Sequence, residues 1–561
     1  MSRAGRWLSL ILGSALALVG ALVPPARLLS ALGASNTELG VALRQGAVLF
    51  KLGLVVLGFC IVAMRSVGGS PRPHGRREPS SVDGAGWAWA VLSATLVACA
   101  LLCFHRLDDG LWFDEIVTYI RYVHLPFGQI LSNYDEENQH ILFSLLAHAA
   151  CVLFGDGTWA LRLPAVLFGV ASVWALFLVG RLVGSRREAL LASTLMAFSY
   201  QLVWFSQNAR GYTGLLFLTL LSSWFFVRAL REGRPHLWLL YAVCIALGMY
   251  IHMTMLFVFV GHFLQYVVAC FTQRHTAWPQ RWTALLCGFG FGALLAFQLY
   301  ALVLPQVFST FGRAKALNGT WMQPWWPVLE LARGLQRSLS GSAVALVAIL
   351  VFAVGLVRLA RTDGTLVQLL LLPTLICAVA KLVLQHPVWP RSFFFAFGFM
   401  VLVVIRGATL LGQALAPRLR LRSGGAEILA TVFSVALILA SARSIPFAYG
   451  PKQDFAGALA FVNAHKQPGD ALVTVGLTAF PYRVLYRADA QEVRSLGALN
   501  AVRASAPRTW LLYTLRAQLA DAHPDVMEAI DRDFVIAKQF PGTLGGGTVV
   551  VCRSDRAAPD S

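Results

Sequence analysis

The sequence has little charge, and acidic residues are especially scarce. Charged residues make up 13% of the chain, and only 27 of its 561 residues are Asp or Glu. An average soluble domain carries about 25% charged residues, so this composition excludes an ordinary soluble protein. What replaces the charge is apolar: 57% of the residues are hydrophobic and the mean hydropathy is +0.65. Apolar runs of about 18 residues recur along the chain, and each is a candidate membrane span.

The sequence also lacks the motifs of several site types. Eight of the nine cysteines lie in apolar stretches, and only Cys552 lies in the polar C-terminal part. No CxxC pair or Cys/His ligand spacing occurs, so neither a zinc site nor a disulfide framework is indicated. The C-terminal part has no glycine-rich phosphate loop and no nucleophile elbow. Its glycine run 545–547 is typical of a hairpin turn.

The net charge of +19 comes from basic residues in the short loops between apolar runs. This placement is typical of a topology signal and argues against nucleic-acid binding. Arg3 and Arg6 precede the first run, so we expect a cytoplasmic N-terminus. No convincing cleavage site follows that run, so we expect a retained span and not a signal peptide. The apolar run 141–154 has only 14 residues, which favours an interfacial helix on the outer surface.

Alternation of basic and neutral loops then predicts a polytopic α-helical membrane protein of roughly 13 transmembrane helices in the plasma (inner) membrane. The predicted spans are 7–23, 43–64, 87–104, 161–180, 189–205, 215–230, 237–251, 256–271, 283–304, 344–357, 366–384, 393–411 and 428–440.

Three parts of the chain are expected. Residues 1–86 hold two extra N-terminal helices and a basic cytoplasmic loop, 65–81. Residues 87–445 form the main transmembrane domain with an outer loop, 105–160. Residues 446–561 form a small exoplasmic α/β domain, because short β-branched and aromatic runs alternate there with helix-like stretches. Its predicted strands are 471–477, 509–515, 534–540 and 548–552, and its predicted helices are 454–465 and 516–530.

A short acidic cluster in LDDGLWFDEIVTY directly follows the span 87–104. It contains Asp108, Asp109, Asp114 and Glu115. Carboxylates beside a bilayer are costly and tend to mark function, and the charge pattern places this cluster on the outer face. A simpler alternative is that Asp114 and Glu115 favour the N-terminus of a helix beginning at Ile116. We expect Asp108 and Asp109 to be loop or cap residues.

Further polar residues are predicted on the same outer face, at the ends of other spans. A carboxylate pair opposite several cations is typical of a general-base site facing an anionic head group. The alternatives are that lone arginines are interfacial anchors, that His140 and His252 are interfacial histidines, and that Trp321–Trp326 belong to an aromatic belt. The residues on this face include Tyr119, Arg121, 135–140, 206–212, Tyr250, His252, Lys381, His386 and Arg391.

Three segments of the sequence are distinctive together: LWFDE, NQHILFSLLAHAACVLFGDGTWALRLPAVLFG and WFSQNARGY. They resemble the membrane glycosyltransferases of family 39 type in the GT-C superfamily, which includes protein O-mannosyltransferases and the lipid A aminoarabinose transferase. The resemblance covers residues 87 to about 230 well and extends weakly to the C-terminal part. It implies a GT-C-like catalytic domain and a polyprenyl-phosphate sugar donor. The sugar would pass on the exoplasmic face to a hydroxyl or phosphate of a lipid, glycan or protein acceptor.

The resemblance also implies roles for individual residues. Asp114 matches the catalytic acid of the first loop and would deprotonate the acceptor, with Glu115 in support. Some relatives use a divalent metal, so the acidic residues Asp114, Glu115 and 135–137 are candidate ligands, although their spacing is not diagnostic. The remaining matched positions, expected to contact the substrate, are His140, Arg162, Gln207, Arg210, Tyr212 and Arg391. For Arg162 the alternative is a structural role, holding the outer helix to the next span.

Two other classes of protein are alternatives. A transporter or flippase of a lipid-linked saccharide usually has ionisable residues in the middle of its spans and paired broken helices. Here the charges lie at the ends of the spans. A membrane scaffold that presents the C-terminal domain leaves the acidic cluster unexplained. Membrane lipids are the expected surroundings, and no nucleic-acid partner is expected.

Overall fold

A computed structural model describes residues 3–33, 40–64, 85–272, 278–312, 334, 341–362, 364–386, 388–421 and 424–555. The basic loop predicted at 65–81 and the tryptophan-rich stretch Trp321–Trp326 lie outside the described residues.

The chain is built mainly of apolar helices, as the composition predicts. Those before the C-terminal part are α1 Arg3–Leu22, α2 Pro25–Ala31, α3 Gly40–Ala63, α4 Ala85–Phe104, α5 Phe113–Thr118, α6 Phe127–Ser132, α7 Ile141–Phe154, α8 Thr158–Val183, α9 Arg186–Ala197, α10 Tyr200–Ser206, α11 Tyr212–Glu232, α12 Pro235–Ile251, α13 Met255–Thr272, α14 Trp278–Thr283, α15 Phe291–Tyr300, α16 Leu304–Gly312, α17 Ser342–Thr362, α18 Gly364–Val383, α19 Phe397–Arg418 and α20 Gly425–Ala442. Tighter or wider helical turns join some of them: Tyr119–Val123, Ala284–Gly290, Pro390–Ala396 and Ile445–Tyr449.

Eleven helical segments in the described part are long and apolar enough to cross a membrane, or twelve if the bent pair α9 and α10 counts as one span. The protein is therefore a multi-pass membrane protein. Each of the eleven corresponds to a predicted span. The other two predicted spans, 189–205 and 237–251, correspond to the bent pair and to α12, which has 17 residues and is short for a bilayer.

The break between α9 and α10 has a local cause. The two helices meet at 57°, and Ser199 lies between them. Its hydroxyl accepts a hydrogen bond from the Leu202 amide at 3.2 Å and donates to the Met196 carbonyl at 2.6 Å. A serine in this position caps the new helix, so the second helix begins in a new direction.

Helices α8 and α11 lie at the centre of the bundle, because about two thirds of each span is buried. Small residues let the neighbouring helices approach them. A Cβ added at Gly169 would lie 2.1 Å from Ser206 Oγ of α10, and one at Gly214 would lie 2.1 Å from Ile251 of α12. Close packing at these two glycines brings the end of α10 toward α8 and the end of α12 toward α11.

The N-terminal helices form a hairpin at the edge of the bundle. Gly13 of α1 and Gly58 of α3 leave no room for a Cβ between the two helices. Helix α3 in turn packs on α15, where Gln298 Nε2 donates to the Phe50 carbonyl at 3.2 Å. The turn after α2 contacts Gly128 of α6. Helix α2 therefore lies at the same end of the bundle as α6 of the outer loop.

Residues 445–555, called the C-terminal α/β region below, form a five-stranded sheet with helices. The strand order is β2-β1-β3-β5-β4, with β1 parallel to β2 and β3, and β5 antiparallel to β3 and β4. The elements are α21 Phe455–His465, β1 Ala471–Val475, β2 Gln491–Val493, α22 Leu496–Ser505, β3 Arg508–Tyr513, α23 Arg516–Ala522, α24 Pro524–Asp533, β4 Val535–Phe540 and β5 Val549–Asp555.

All four predicted strands are present in this region, and the glycine run 545–547 lies in the turn between β4 and β5. Strand β2 and helix α22 were not predicted. Strand β2 has three residues, which are too few to show a pattern. The predicted helix 516–530 is two helices. His523 has a non-helical backbone, and Pro524 begins the second helix, since proline suits a first helical position.

Candidate functional site

The acidic loop, residues 105–118, lies at one end of the bundle beside the segments that were predicted to share its face. Contacts join it to the loop 207–211, to the turn Pro390–Ala396 and to the C-terminal α/β region. All eight predicted site residues belong to this end. The basic loops meet at the opposite end, where Arg187 pairs with Glu427 at 2.7 Å and Arg231 donates to the Leu182 carbonyl at 3.0 Å.

Asp114 is the carboxylate of the loop that faces a partly open space. Its side chain is 16% exposed and its Oδ2 lies 3.2 Å from Nη1 of Arg391. The backbone at Asp114 is fixed, because its carbonyl accepts from Thr118 Oγ1 at 2.8 Å and from Asn138 Nδ2 at 3.2 Å. The guanidinium of Arg391 lies over the rings of Trp389 and Trp112, at 4.9 and 6.0 Å from their centroids. An acid and a cation are thus held side by side.

Glu115 is fully buried and points the other way, into an ion pair with Arg162. The guanidinium grips both carboxylate oxygens, with Nε 2.8 Å from Oε1 and Nη2 2.7 Å from Oε2. The remaining N–H groups of Arg162 donate to the carbonyls of Leu107, Asp109 and Gly110 at 2.8 to 3.0 Å. All five guanidinium donors are used within the chain. Arg162 therefore holds the acidic loop to α8, and it has no N–H left for a substrate.

The charge of Glu115 is stabilised in spite of its burial. Burial alone would raise the pKa of its carboxyl, but the charge and hydrogen bonds of Arg162 and the Ala209 amide at 2.7 Å outweigh burial and lower it. The nearby ammonium of Lys452 acts in the same direction. Glu115 is therefore an ionised structural group at neutral pH, with each carboxylate oxygen already hydrogen-bonded.

His140 and Arg210 form a second buried group beside Asp114. His140 Nδ1 accepts from the Gly211 amide at 2.8 Å, and Arg210 Nη2 lies 3.1 Å from Nε2. Arg210 Nη1 donates to Thr118 Oγ1 at 2.8 Å and to the Asn138 carbonyl. Burial and the charge of Arg210 hold the pKa of His140 well below its ordinary value. His140 is therefore a neutral imidazole.

Tyr212 and His252 complete the wall behind His140. The three rings pack edge to face or tilted, with centroids 4.4 to 5.8 Å apart. Burial and then the charge of Arg210 lower the pKa of His252 to about 3, so this ring is also neutral. The charged groups that lower the pKa of these two rings are Arg210, Arg391 and, for His252, Lys381. All three are cationic, which favours an anionic ligand over a cation.

The side chain of Gln207 does not face the site but makes hydrogen bonds within the fold. Its Nε2 donates to the carbonyls of Cys103 and His105 at 3.2 and 2.5 Å, so it ties the end of α4 to the loop 207–211. Three other buried N–H groups of this end have no acceptor within the described part of the chain. They are Gln139 Nε2, Asn208 Nδ2 and Arg210 Nε.

Two other acidic residues of the outer loop, Asp135 and Glu136, also face an arginine. Arg121 pairs with Glu136 and lies 3.8 Å from Asp135 Oδ2, while Asp135 Oδ1 accepts from Tyr122 Oη at 2.6 Å. Asp108 accepts from the Trp159 amide in the first turn of α8 at 3.3 Å. Among the described residues no three His, Cys, Asp or Glu side chains cluster as a metal site. We therefore derive no step through a divalent metal.

Sequence reasoning missed Lys452 and Gln453, which come from the start of the C-terminal α/β region. Lys452 Nζ donates to the Gln207 carbonyl at 2.6 Å and lies over the Trp204 ring. Gln453 Oε1 accepts from the Phe113 amide at 3.0 Å. The one signal in the sequence was a polar segment, PKQD, directly after the last span. Nothing in that segment indicated partners 245 and 340 residues away.

Comparison with known proteins fits this architecture. Residues 138–300 match the family model described as dolichyl-phosphate-mannose-protein mannosyltransferase. The apo structure of the Archaeoglobus fulgidus oligosaccharyltransferase superposes with a TM-score of 0.52 at 11% identity, covering 83% of this chain and 74% of that one. The chain has the GT-C fold of membrane glycosyltransferases. This confirms the predicted fold class and the resemblance at the level of the fold.

A second solved GT-C structure is similar over nearly its whole length. ArnT from Cupriavidus metallidurans in the apo state covers 85% of this chain and 99% of its own, with 12% identity and a TM-score of 0.45. No curated protein sequence matches the chain. The family match begins at Asn138, so it includes His140, Arg162 and Arg210 but not the acidic loop with Asp114.

Proposed function

We propose that this protein transfers a sugar from a polyprenyl-phosphate donor to an acceptor hydroxyl or phosphate, with Asp114 as the general base. The observation that carries the proposal is the pair of Asp114 and Arg391 in a partly open place at one end of a GT-C fold. The match of residues 138–300 to a family named for a dolichyl-phosphate sugar donor supports the same chemistry.

In this proposal the two side chains have complementary tasks. When a sugar leaves a lipid phosphate, negative charge grows on the phosphate, and a fixed cation stabilises it. Arg391 is held for this by the two tryptophan rings and by Asp114. An acceptor hydroxyl loses its proton as it attacks C1 of the sugar, and a carboxylate within hydrogen-bond reach can take that proton.

Glu115, Arg162 and Gln207 support this site as positioning residues in our proposal. Their polar groups are used in internal bonds, so they fix the loop that carries Asp114. Arg210, whose Nε has no acceptor in the described part of the chain, is the second cation available to the donor phosphate. His140 and Tyr212 form the neutral wall beside it.

Charge supports an orientation with the site on the exoplasmic side. The end opposite the site carries the basic loops, including Arg186, Arg187, Arg231 and Arg234. Short basic loops favour the cytoplasm, so we propose that the acidic loop and the C-terminal α/β region face outward from the plasma membrane. A polyprenyl tail would then lie in the outer leaflet beside the bundle.

The test uses the purified protein in proteoliposomes. A panel of undecaprenyl-phosphate sugars serves as donors, and membranes of the host lacking the gene supply the acceptors. Mass spectrometry follows the appearance of free undecaprenyl phosphate and of glycosylated acceptor. We expect Asp114→Asn to lower the rate by about 100-fold or more, within the usual range for removal of a general base. Asp109→Asn, in the same loop but paired with Arg106, is the matched control.

Wild-type rates in Asp114→Asn would remove Asp114 as the base. A labelled lipid-linked sugar that crosses the bilayer without cleavage would show a flippase instead of a transferase.

A further inference from the structure

Lys452 and Gln453 lie where three parts of the chain meet. Their side chains reach the acidic loop and the loop 207–211, and the main-chain carbonyls of Pro451 and Lys452 bind the turn between β4 and β5. The Leu544 amide donates to the Lys452 carbonyl at 3.3 Å, and the Thr543 amide donates to the Pro451 carbonyl at 2.8 Å. This junction is buried, because Lys452 is 7% and Gln453 3% exposed.

Gln453 binds the first amide of the helix that carries Asp114. Phe113 is the first residue of α5, and an amide in the first turn has no partner within its own helix. Gln453 Oε1 accepts from it at 3.0 Å, while Nε2 donates to Thr514 Oγ1 at 3.2 Å. Helix α5 has only six residues, so little intrinsic stability holds it in place. A partner outside the helix therefore contributes much of its order.

Lys452 binds the segment that closes over Glu115. Its ammonium donates to the Gln207 carbonyl at 2.6 Å and lies 5.0 Å from the centroid of the Trp204 ring. Two residues further on, the Ala209 amide binds Glu115 Oε1. Trp204 Nε1 also donates to Thr543 Oγ1 at 2.9 Å. The C-terminal α/β region thus binds the loop 207–211 as well as the acidic loop.

We propose that Lys452 and Gln453 are positioning residues through which the C-terminal α/β region holds Asp114 in its reactive place. The helix α5, the loop 207–211 and the sheet then act as one rigid unit. The kinetic part of this inference rests on the proposed function, whereas its structural part does not.

The experiment measures amide hydrogen exchange of the full-length protein in detergent. Removing the side-chain acceptor in Gln453→Leu should raise exchange at Phe113–Thr118 by about tenfold, the effect of losing one hydrogen bond of ordinary strength. Gln453→Glu keeps an acceptor oxygen and should return the wild-type rate. The control is Gln467→Leu, an exposed glutamine of the same region. Lys452→Met should raise exchange at residues 206–211, and Lys466→Met should not.

Sugar transfer gives the second readout. In Gln453→Leu we expect kcat to fall by about tenfold with the donor KM within twofold of wild type, because the donor is bound by Arg391 and not by this junction. If the wild-type protein transfers no sugar, the proposed function fails, and exchange alone decides the inference. Unchanged exchange at Phe113–Thr118 in Gln453→Leu, or an equal rise in the distant helix α17, overturns it.

Discussion

Replacing Arg162 by methionine is the sharpest stability test of this fold. Arg162 is 2% exposed and Glu115 is not exposed at all. The substitution leaves the Glu115 carboxylate buried without its main partner, and it removes the donors from the carbonyls of Leu107, Asp109 and Gly110. Breaking a buried ion pair on one side costs about 3–5 kcal/mol.

The measurement is a double-mutant cycle on thermal unfolding in a single detergent. Arg162→Met should lower the midpoint strongly. Glu115→Gln alone should also lower it, because the amide can no longer accept two bonds from the guanidinium. The double variant should lose less than the sum of the two single effects, since neither charge is then left alone. Arg162→Lys should restore little of the unfolding midpoint, because the ammonium of lysine cannot reproduce the five N–H donors of a planar guanidinium. Additive effects, or an unchanged midpoint in Arg162→Met, would refute this account of how the acidic loop is held.

Three further outcomes are expected. Arg391→Ala should weaken binding of undecaprenyl phosphate by about ten- to a hundredfold in tryptophan-fluorescence titrations, the range for losing a charge-assisted hydrogen bond. Arg391→Lys should recover part of the lost affinity. Equal affinities in wild type and Arg391→Ala would remove the arginine from the donor site. Burial lowers the pKa of Lys452 to about 7, below its ordinary value, so the native state disfavours the ammonium and stability should rise between pH 7 and pH 10. Lys452→Met should therefore lack this rise of the unfolding midpoint with pH, and an equal rise in wild type and variant contradicts the assignment. Alkaline phosphatase fused after Leu107 should be active and fused after Arg187 inactive; the reverse pattern would invert the proposed orientation.

Much of the architecture could be predicted from local sequence. The short apolar run 141–154 was expected to be a helix of that length, and the structure has Ile141–Phe154, because polar His140 and then Gly155 bound the run. The strands of the C-terminal α/β region were found for a related reason. β-branched and aromatic residues followed by turn residues mark a strand wherever it pairs. The alternation of loop charges predicted that the candidate site residues share one end of the bundle.

Side-chain roles within the site could not be predicted in this way. Asp114 and Glu115 are neighbours of the same chemical type, yet one faces Arg391 across a partly open space and the other is buried against Arg162. Successive residues on a helix point about 100° apart, so adjacent carboxylates meet different surroundings. Those surroundings are set by Arg162, 47 residues after Glu115, and by Arg391, 277 residues after Asp114.

The sequence by itself therefore determined the membrane class, most of the spans and the segments that share a face, because hydrophobicity and charge act on each segment separately. The tertiary structure alone decided which carboxylate is left partly open, that Arg162 and Gln207 are used up in internal bonds, and that Lys452 and Gln453 join the C-terminal α/β region to the acidic loop. Those facts depend on distances between residues far apart in the chain. Such distances exist only after the helices have packed.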